Sequence, residues 1–428
     1  MEQHFGSSPT RERLTVAWLH PIGMLGLSVY NFVMRILTLG VYHFWGKTEV
    51  RRRIWSSIRL NGEPLEYTGT GRELFLGFLV IFGLVLLPIL LLTFAAAFLL
   101  GPDSWVFKLF QLALYAGVLL LTGIAIYRAQ RFRLSRTRWR GIRAGLDGSS
   151  WTYGWTYFWT LLTLPLTLGW SAPWRSTKLQ RIITDDMRFG TERFRFSGSS
   201  RPLYKPFALY WFLMGLVVFV TLAVVGGRAV QLATMFEARD GEGNPLPPDA
   251  TDTADIVAFV LLIYGALFVA GLLYVVLSAW YRSAMMRHFA RYTHLGAVGF
   301  ESSVTARGLL WIAVTNYLIL LLGATVVTAI VGGLGYSVLT MFAGQTSEVG
   351  DLPQHQALMQ STIGLTMGFV FLISLGMLAP ITQARTSGYL IRNLHLSGDL
   401  DMAAVAAGAE PTSKRGEGLA QAFDIDAI

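Results

Sequence analysis

LTLGVYHFWGKTEVRRRIWSSIRLNGEPLEYTG, residues 37–69, returns 129 positions later as LTLGWSAPWRSTKLQRIITDDMRFGTERFRFSG, residues 166–198, without a gap and with eleven of 33 positions identical. The matched pairs include Thr38/Thr167, Gly40/Gly169, Trp45/Trp174 and Arg52/Arg181, which are the repeat-motif candidates. A third, eroded copy closes the chain, where Leu375, Gly376, Ala379 and Pro380 fall in register with Leu168, Gly169, Ala172 and Pro173. Each copy passes from an apolar segment through a basic segment into a β-like segment. The sequence therefore reads as three degenerate internal repeats: residues 16–127, 128–281 and 282–399. Residues 1–15 and 400–428 are expected to be disordered tails, given their small and charged residues.

With 53% hydrophobic and 14% charged residues, the chain has the composition of an integral membrane protein. A hydrocarbon core of about 30 Å needs roughly 20 helical residues. Six segments are long enough: 74–100, 109–127, 206–227, 256–281, 308–336 and 356–384. The polar first fourteen residues lack a short apolar core with a small-residue cleavage site, so no removable signal peptide is expected. The chain contains no cysteine, which excludes disulfides, thiolate metal sites and cysteine nucleophiles. A net charge of +9 could point to nucleic acid, but basic residues of a membrane protein gather in cytoplasmic loops. No nucleic-acid partner is expected.

The basic residues are unevenly placed. Six lie between Gly46 and Glu73, seven arginines between Arg128 and Arg143, and eight basic residues between Arg175 and Lys205. All three segments are expected in the cytosol. The Glu237 to Asp255 segment, with six acids and one arginine, and the loop around Glu348 and Asp351 are expected to face away from it. Both flanks of residues 151–174 thus belong inside, as do both flanks of 22–45, and a single crossing cannot satisfy that. The two segments are read either as re-entrant hairpins, with Pro165 and Gly40 as the bends, or as helices lying along the interface.

Between hairpins and spans, Ile58 to Tyr67 alternates apolar and polar residues around Asn61-Gly62, a strong β-hairpin signal. Met187, Phe189, Phe194 and Phe196 share a face in the second copy. Further β-like pieces are 139–146, 295–300 and 394–396. Isolated hairpins are marginal in water, so these pieces are expected to pair into a small cytoplasmic sheet. The fold class is an α-helical polytopic membrane protein with about six transmembrane helices, two re-entrant or interfacial helical hairpins and cytoplasmic β-hairpins. The basic stretches 47–57 and 175–184 suit anionic lipid head groups at the cytoplasmic face.

Asn31-Phe32-Val33-Met34-Arg35-Ile36-Leu37-Thr38-Leu39-Gly40-Val41-Tyr42-His43-Phe44-Trp45, followed by Arg51-Arg52-Arg53 and Tyr67-Thr68-Gly69, resembles the bacterial YjgN family of inner-membrane proteins, a domain of unknown function. In the second copy Thr160 replaces Asn31, and in the third Ile381 replaces Trp45. The resemblance implies a multi-pass protein of the bacterial inner membrane, with both termini expected in the cytosol, and brings no activity with it.

No zinc-protease, serine-hydrolase or phosphate-loop pattern is present, and the histidines are scattered, so neither an enzyme nor a cofactor or metal is expected. The six spans carry no Asp, Glu, Lys or Arg in their interiors, which disfavours proton-coupled transport. A pore, a facilitator or a lipid-handling role is left, with Arg35 and Asn316 as candidate solute or anion contacts. The competing reading is a membrane scaffold that presents its β layer to another protein.

Overall fold

The computed structural model describes residues 11–236, 250–343, 353–402 and 405. The expected outer loops, 237–249 and around 348–351, and most of the C-terminal tail lie outside them. The N-terminal strand pieces are β1 (Arg11–Arg13) and β2 (Val16–Trp18). A short helical pair follows, α1 (Met24–Leu37) and α2 (His43–Ser57), and then β3 (Ile58–Leu60), β4 (Glu63–Pro64) and β5 (Glu66–Tyr67). A long pair comes next, α3 (Gly71–Ile81) and α4 (Leu87–Leu100) against α5 (Trp105–Ser135), leading to β6 (Thr137–Trp139) and β7 (Ile142–Leu146). Between α3 and α4 the chain makes one π-helical stretch, Phe82–Leu86. Pro88 at the start of α4 has no N–H to continue the α pattern, which accounts for the irregular turn before it.

The second short pair is α6 (Ser150–Leu166) and α7 (Ala172–Asp186), followed by β8 (Met187–Phe189) and β9 (Glu192–Phe196). The second long pair, α8 (Arg201–Phe236) and α9 (Ala250–Arg291), leads to β10 (Thr293–Leu295) and β11 (Val298–Ser302). Last come α10 (Ala306–Ala343), α11 (Pro353–Leu375), α12 (Ala379–Arg392), β12 (Leu394–Ser397) and β13 (Asp399–Asp401).

The strands close on themselves. From β5 to β12 they form one antiparallel meander in chain order, β2 pairs with β3 and β3 with β4, and β1 pairs with β13. Leu65 alone separates β4 from β5, Gly398 separates β12 from β13, and Leu14-Thr15 separates β1 from β2. Each of those pairs is one interrupted strand, so ten strands make a closed ring with no free edge among the described residues. The sequence led us to expect a small sheet from separate pieces; the ring is larger because residues 11–13 and 400–401, placed in the expected disordered tails 1–15 and 400–428, are strand residues that pair and close it.

An antiparallel meander alternates its connections between two rims. At one rim the links have two residues: Asn61-Gly62 (φ 48° and 81°), Arg140-Gly141 (50° and 77°), Gly190-Thr191 and Gly296-Ala297. The left-handed backbone matches the twist of tight hairpins. At the other rim every link is a helical pair, so all helices rise from the same end of the barrel. The barrel interior is apolar and filled: Trp139, Leu295, Val298 and Leu400 are buried, with Phe189, Phe194 and Phe300 packed against them. At the turn rim Arg140 donates from Nε to Glu63 (2.9 Å) and from Nη1 to Glu12 (2.7 Å). Glu63 first, then Glu12, raises its pKa above the ordinary arginine value.

Among the described residues, six helical stretches are long and apolar enough to cross a membrane: 71–100, 105–135, 201–233, 254–291, 306–335 and 363–392. None of the most apolar window of the third and fourth is buried inside the protein. Apolar surface on that scale needs hydrocarbon around it. The last stretch differs from the expected single span 356–384, because Gly376, Met377 and Leu378 interrupt it between α11 and α12.

Replacing the buried Trp139 by Ala is expected to cost about 3–5 kcal/mol, and Trp105→Ala, at a side chain 72% exposed, under about 0.5 kcal/mol. Thermal unfolding of the detergent-solubilised protein measures both; equal shifts would contradict a packed barrel interior.

Candidate functional site at the barrel rim

Where helices meet the barrel, one contact recurs at a fixed spacing. Arg52 donates to the carbonyl of Gly69 (3.2 Å), Arg131 to Gly148, Arg181 to Gly198 (2.7 Å) and Arg287 to Val304, in each case 17 residues on. Each arginine sits six residues before its first strand, so its side chain spans the base of the β-hairpin and fixes the chain as it leaves the barrel. At the fifth such position stands Gly388, where a Cβ would come within 2.6 Å of the Trp18 indole nitrogen. The first strand, which carries Trp18, thus fills the place of the missing guanidinium. The motif residues Arg52 and Arg181 are junction pins. Arg131 and Arg287 escaped notice in the sequence because they lie outside the aligned stretches; the spacing to the next strand is the signal that finds them.

The Thr-Leu-Gly motif forms the tips of the two short helical pairs. Thr38 Oγ1 donates to Met34 O (2.7 Å) and accepts from the Tyr42 N–H (2.9 Å); Thr167 does the same with Thr163 O (2.7 Å) and the Ser171 N–H (3.1 Å). Gly40 and Gly169 take φ 91° and 83°, and their N–H groups reach back to Arg35 O and Leu164 O. A side chain at either glycine would strain this backbone. Leu39 and Leu168, both at positive φ, point outward at 95% and 78% exposure. The carbonyl of Leu168 accepts from the Trp211 indole of α8 at 2.7 Å, so irregular backbone at the tip is satisfied by a neighbouring span.

Trp45 and Trp174 stand at the heads of α2 and α7, and each is a little over one third exposed. Lys178 lies over the Trp174 ring at 5.0 Å. Trp45 stacks on Tyr42 and packs against Phe75. It is also why residue 71 is glycine, since a Cβ there would lie 2.7 Å from the Trp45 backbone. This close approach of α3 to α2 leaves a cleft of about 550 Å³ beside it. Tyr30, Tyr42 and Trp45 form one wall, and Arg52, Arg53 and Arg72 surround it with Glu49. Glu49 holds Arg52 (3.2 Å) and Arg53 (3.8 Å), and Arg53 also donates to Gly23 O (2.9 Å) at the start of α1. Arg72, in the first turn of α3, is exposed and has no hydrogen-bond or ion-pair partner among the described residues. Of these residues sequence reasoning singled out Trp45 and Arg52; the others come together only through the helical pair.

Arg35 and Asn316 do not meet. Arg35 reaches toward the break after α11, its Nη1 3.8 Å from where a Cβ of Gly376 would lie. Asn316 on α10 is engaged by α12: it donates to Thr386 (3.0 Å) and accepts from Arg385 (3.1 Å), whose Nη2 also donates to Thr315 (2.8 Å). The pair Thr315 and Asn316 thus holds an arginine between helices.

Arg181→Ala leaves the Gly198 carbonyl without its charged donor and is expected to cost about 1.5–3 kcal/mol, read as a lowered unfolding temperature in detergent. An unchanged temperature would mean that the junction pin does not bear on stability.

The profile of the bacterial proteins of unknown function DUF898 matches residues 23–422. The inner membrane protein YjgN of Salmonella typhimurium strain LT2 is 36% identical over 56 residues, which is 13% of this chain and 14% of that relative, so the match spans about one seventh of its length. No solved structure matches. With the profile covering nearly the whole chain and six apolar helices rising from one barrel rim, the chain belongs to the DUF898 family and is a multi-pass inner-membrane protein of the YjgN kind.

Proposed function

We propose that this protein binds anionic phospholipid at the cytoplasmic leaflet, a lipid-handling role without proton coupling. The cleft between α1, α2 and α3 carries the reading. Its three guanidinium groups outnumber its one carboxylate. Basic side chains at an anionic leaflet contribute about 1 kcal/mol each, and tyrosine and tryptophan rings favour head-group depth. Beside the cleft, Leu76, Leu79 and Val80 of α3 expose an apolar flank suited to acyl chains. Spans without ionisable groups at their centres fit binding and passage of lipid better than ion coupling.

The topology supports the same view. Residues 22–45 leave from β2 and return to β3, and 151–174 leave near β7 and return to β8; both strand pairs are hydrogen-bonded neighbours. The short pairs lie against the neighbouring spans beyond their first turns, with Phe44 of α2 on Phe78 of α3 and the tip residue Trp170 on Trp211 of α8. We read both segments as re-entrant hairpins that dip into the bilayer and come back. The barrel, with its arginines, then lies in the cytosol, and both ends of the described chain lie there with it. The shared tips and junction pins support descent of the two short pairs from one unit, with α12 as a third, eroded copy. A second role as a platform would place a protein partner on the outer faces of the barrel, since its paired edges leave no room for an added strand.

In the cysteine-free chain, Arg143→Cys and Arg193→Cys are expected to react with a membrane-impermeant thiol reagent from the cytosolic side only; labelling from opposite sides would refute the re-entrant reading. The full-length Arg53→Ala/Arg72→Ala double variant is expected to retain phosphatidylglycerol at least tenfold more weakly than the parent in detergent titrations. Equal retention would remove the support for lipid binding at this cleft.

A further inference from the structure

We infer that a second anionic head-group site lies at the base of the α8–α9 pair, separate from the cleft beside α2. A cleft of about 390 Å³ opens there between the start of α8, the end of α9 and β11. Its cationic wall is α9. Arg287 is fixed through Nη1 to the Val304 carbonyl, which leaves its remaining N–H groups on an exposed side chain. Arg291 follows one turn later and is exposed, with no hydrogen-bond or ion-pair partner among the described residues. Like charges four apart on a helix repel by a few tenths of a kcal/mol. An anion shared between the two guanidiniums relieves that repulsion and is recognised by paired N–H donors. Glu301 borders the cleft and forms no ion pair with either arginine.

The rest of the cleft selects for lipid. His288 donates from Nε2 to the Ser199 carbonyl (2.8 Å) and lies against the Tyr292 ring at 4.8 Å, which holds an aromatic wall in place. Pro202, Leu203 and Pro206 form an apolar side, with Leu203 only 2% exposed. Arg287 and Arg291 come six and ten residues after the apolar run 256–281 of α9, and the cleft lies at the barrel ends of two apolar helices. Above it Leu209 and Phe212 of α8 present exposed apolar surface. A phosphate between Arg287 and Arg291, with its acyl chains along α8, matches an anionic glycerophospholipid. This site rests on its own residues and stands or falls independently of the first cleft.

Native mass spectrometry of the full chain, titrated with phosphatidylglycerol in mild detergent, tests it. The parent protein is expected to retain two lipids, Arg291→Glu one, Arg72→Glu one, and the double variant none; Arg291→Lys retains both. Arg291 makes no hydrogen bond or ion pair among the described residues, and thermal unfolding of Arg291→Glu and of the milder Arg291→Gln verifies that the fold is intact. Loss of one lipid in Arg291→Glu while Arg72→Glu keeps both supports this site and removes the other. The inference is overturned if Arg291→Glu and Arg291→Gln retain as many lipids as the parent, or if inorganic phosphate binds the cleft and phosphatidylglycerol does not.

Discussion

Everything in this molecule hangs on a ring of backbone hydrogen bonds that must close. A ten-stranded meander left open would expose two rows of unpaired N–H and C=O groups beside a membrane, and β1 pairing with β13 removes both. Closure has a geometric consequence. With two-residue turns confined to one rim, the other rim is obliged to issue every helix, and thus every span rises from the same side. The helical part need not form a tightly packed bundle, because the barrel already fixes where each helix begins. That fits spans whose surfaces stay largely uncovered by protein.

The junction pins explain how so short a set of strands holds such long helices. Strand segments of two to five residues offer few ladder bonds. A guanidinium that crosses the base of a hairpin ties the incoming helix to the outgoing chain, and serine or threonine caps begin several of the outgoing helices: Thr70, Ser149 and Thr305 each accept from a first-turn N–H. The same rim collects basic and aromatic side chains, so the residues that join the two layers also line the base of the helices.

Much of this was legible in the residues. Length and apolarity gave the six spans, the Asn61-Gly62 pair gave a hairpin, and the aligned copies picked out Thr38, Gly40, Arg52 and their partners, each of which makes the same contact as its counterpart. What could not be read was long-range. The first strand, residues 11–18, is polar and short, and its pairing depends on residues nearly 390 positions away. The break at Gly376 to Leu378 was hidden because an uncharged run continues through it. The cleft escaped because Tyr30, Glu49 and Arg72 are unremarkable singly and meet only when α1 folds back on α2 and α3 begins beside Trp45.

The seam between β1 and β13 also orders events during synthesis. Four of the five helical pairs and all four two-residue turns can form while the ribosome is still translating, yet the ring stays open at one position until residue 401 has emerged. Until then Leu14 and Trp139 lack the covering that Leu400 and Val405 provide. The barrel therefore seals only when residues 399–401 dock onto residues 11–13, and a chain cut before residue 399 would leave the ring unsealed and open to proteases.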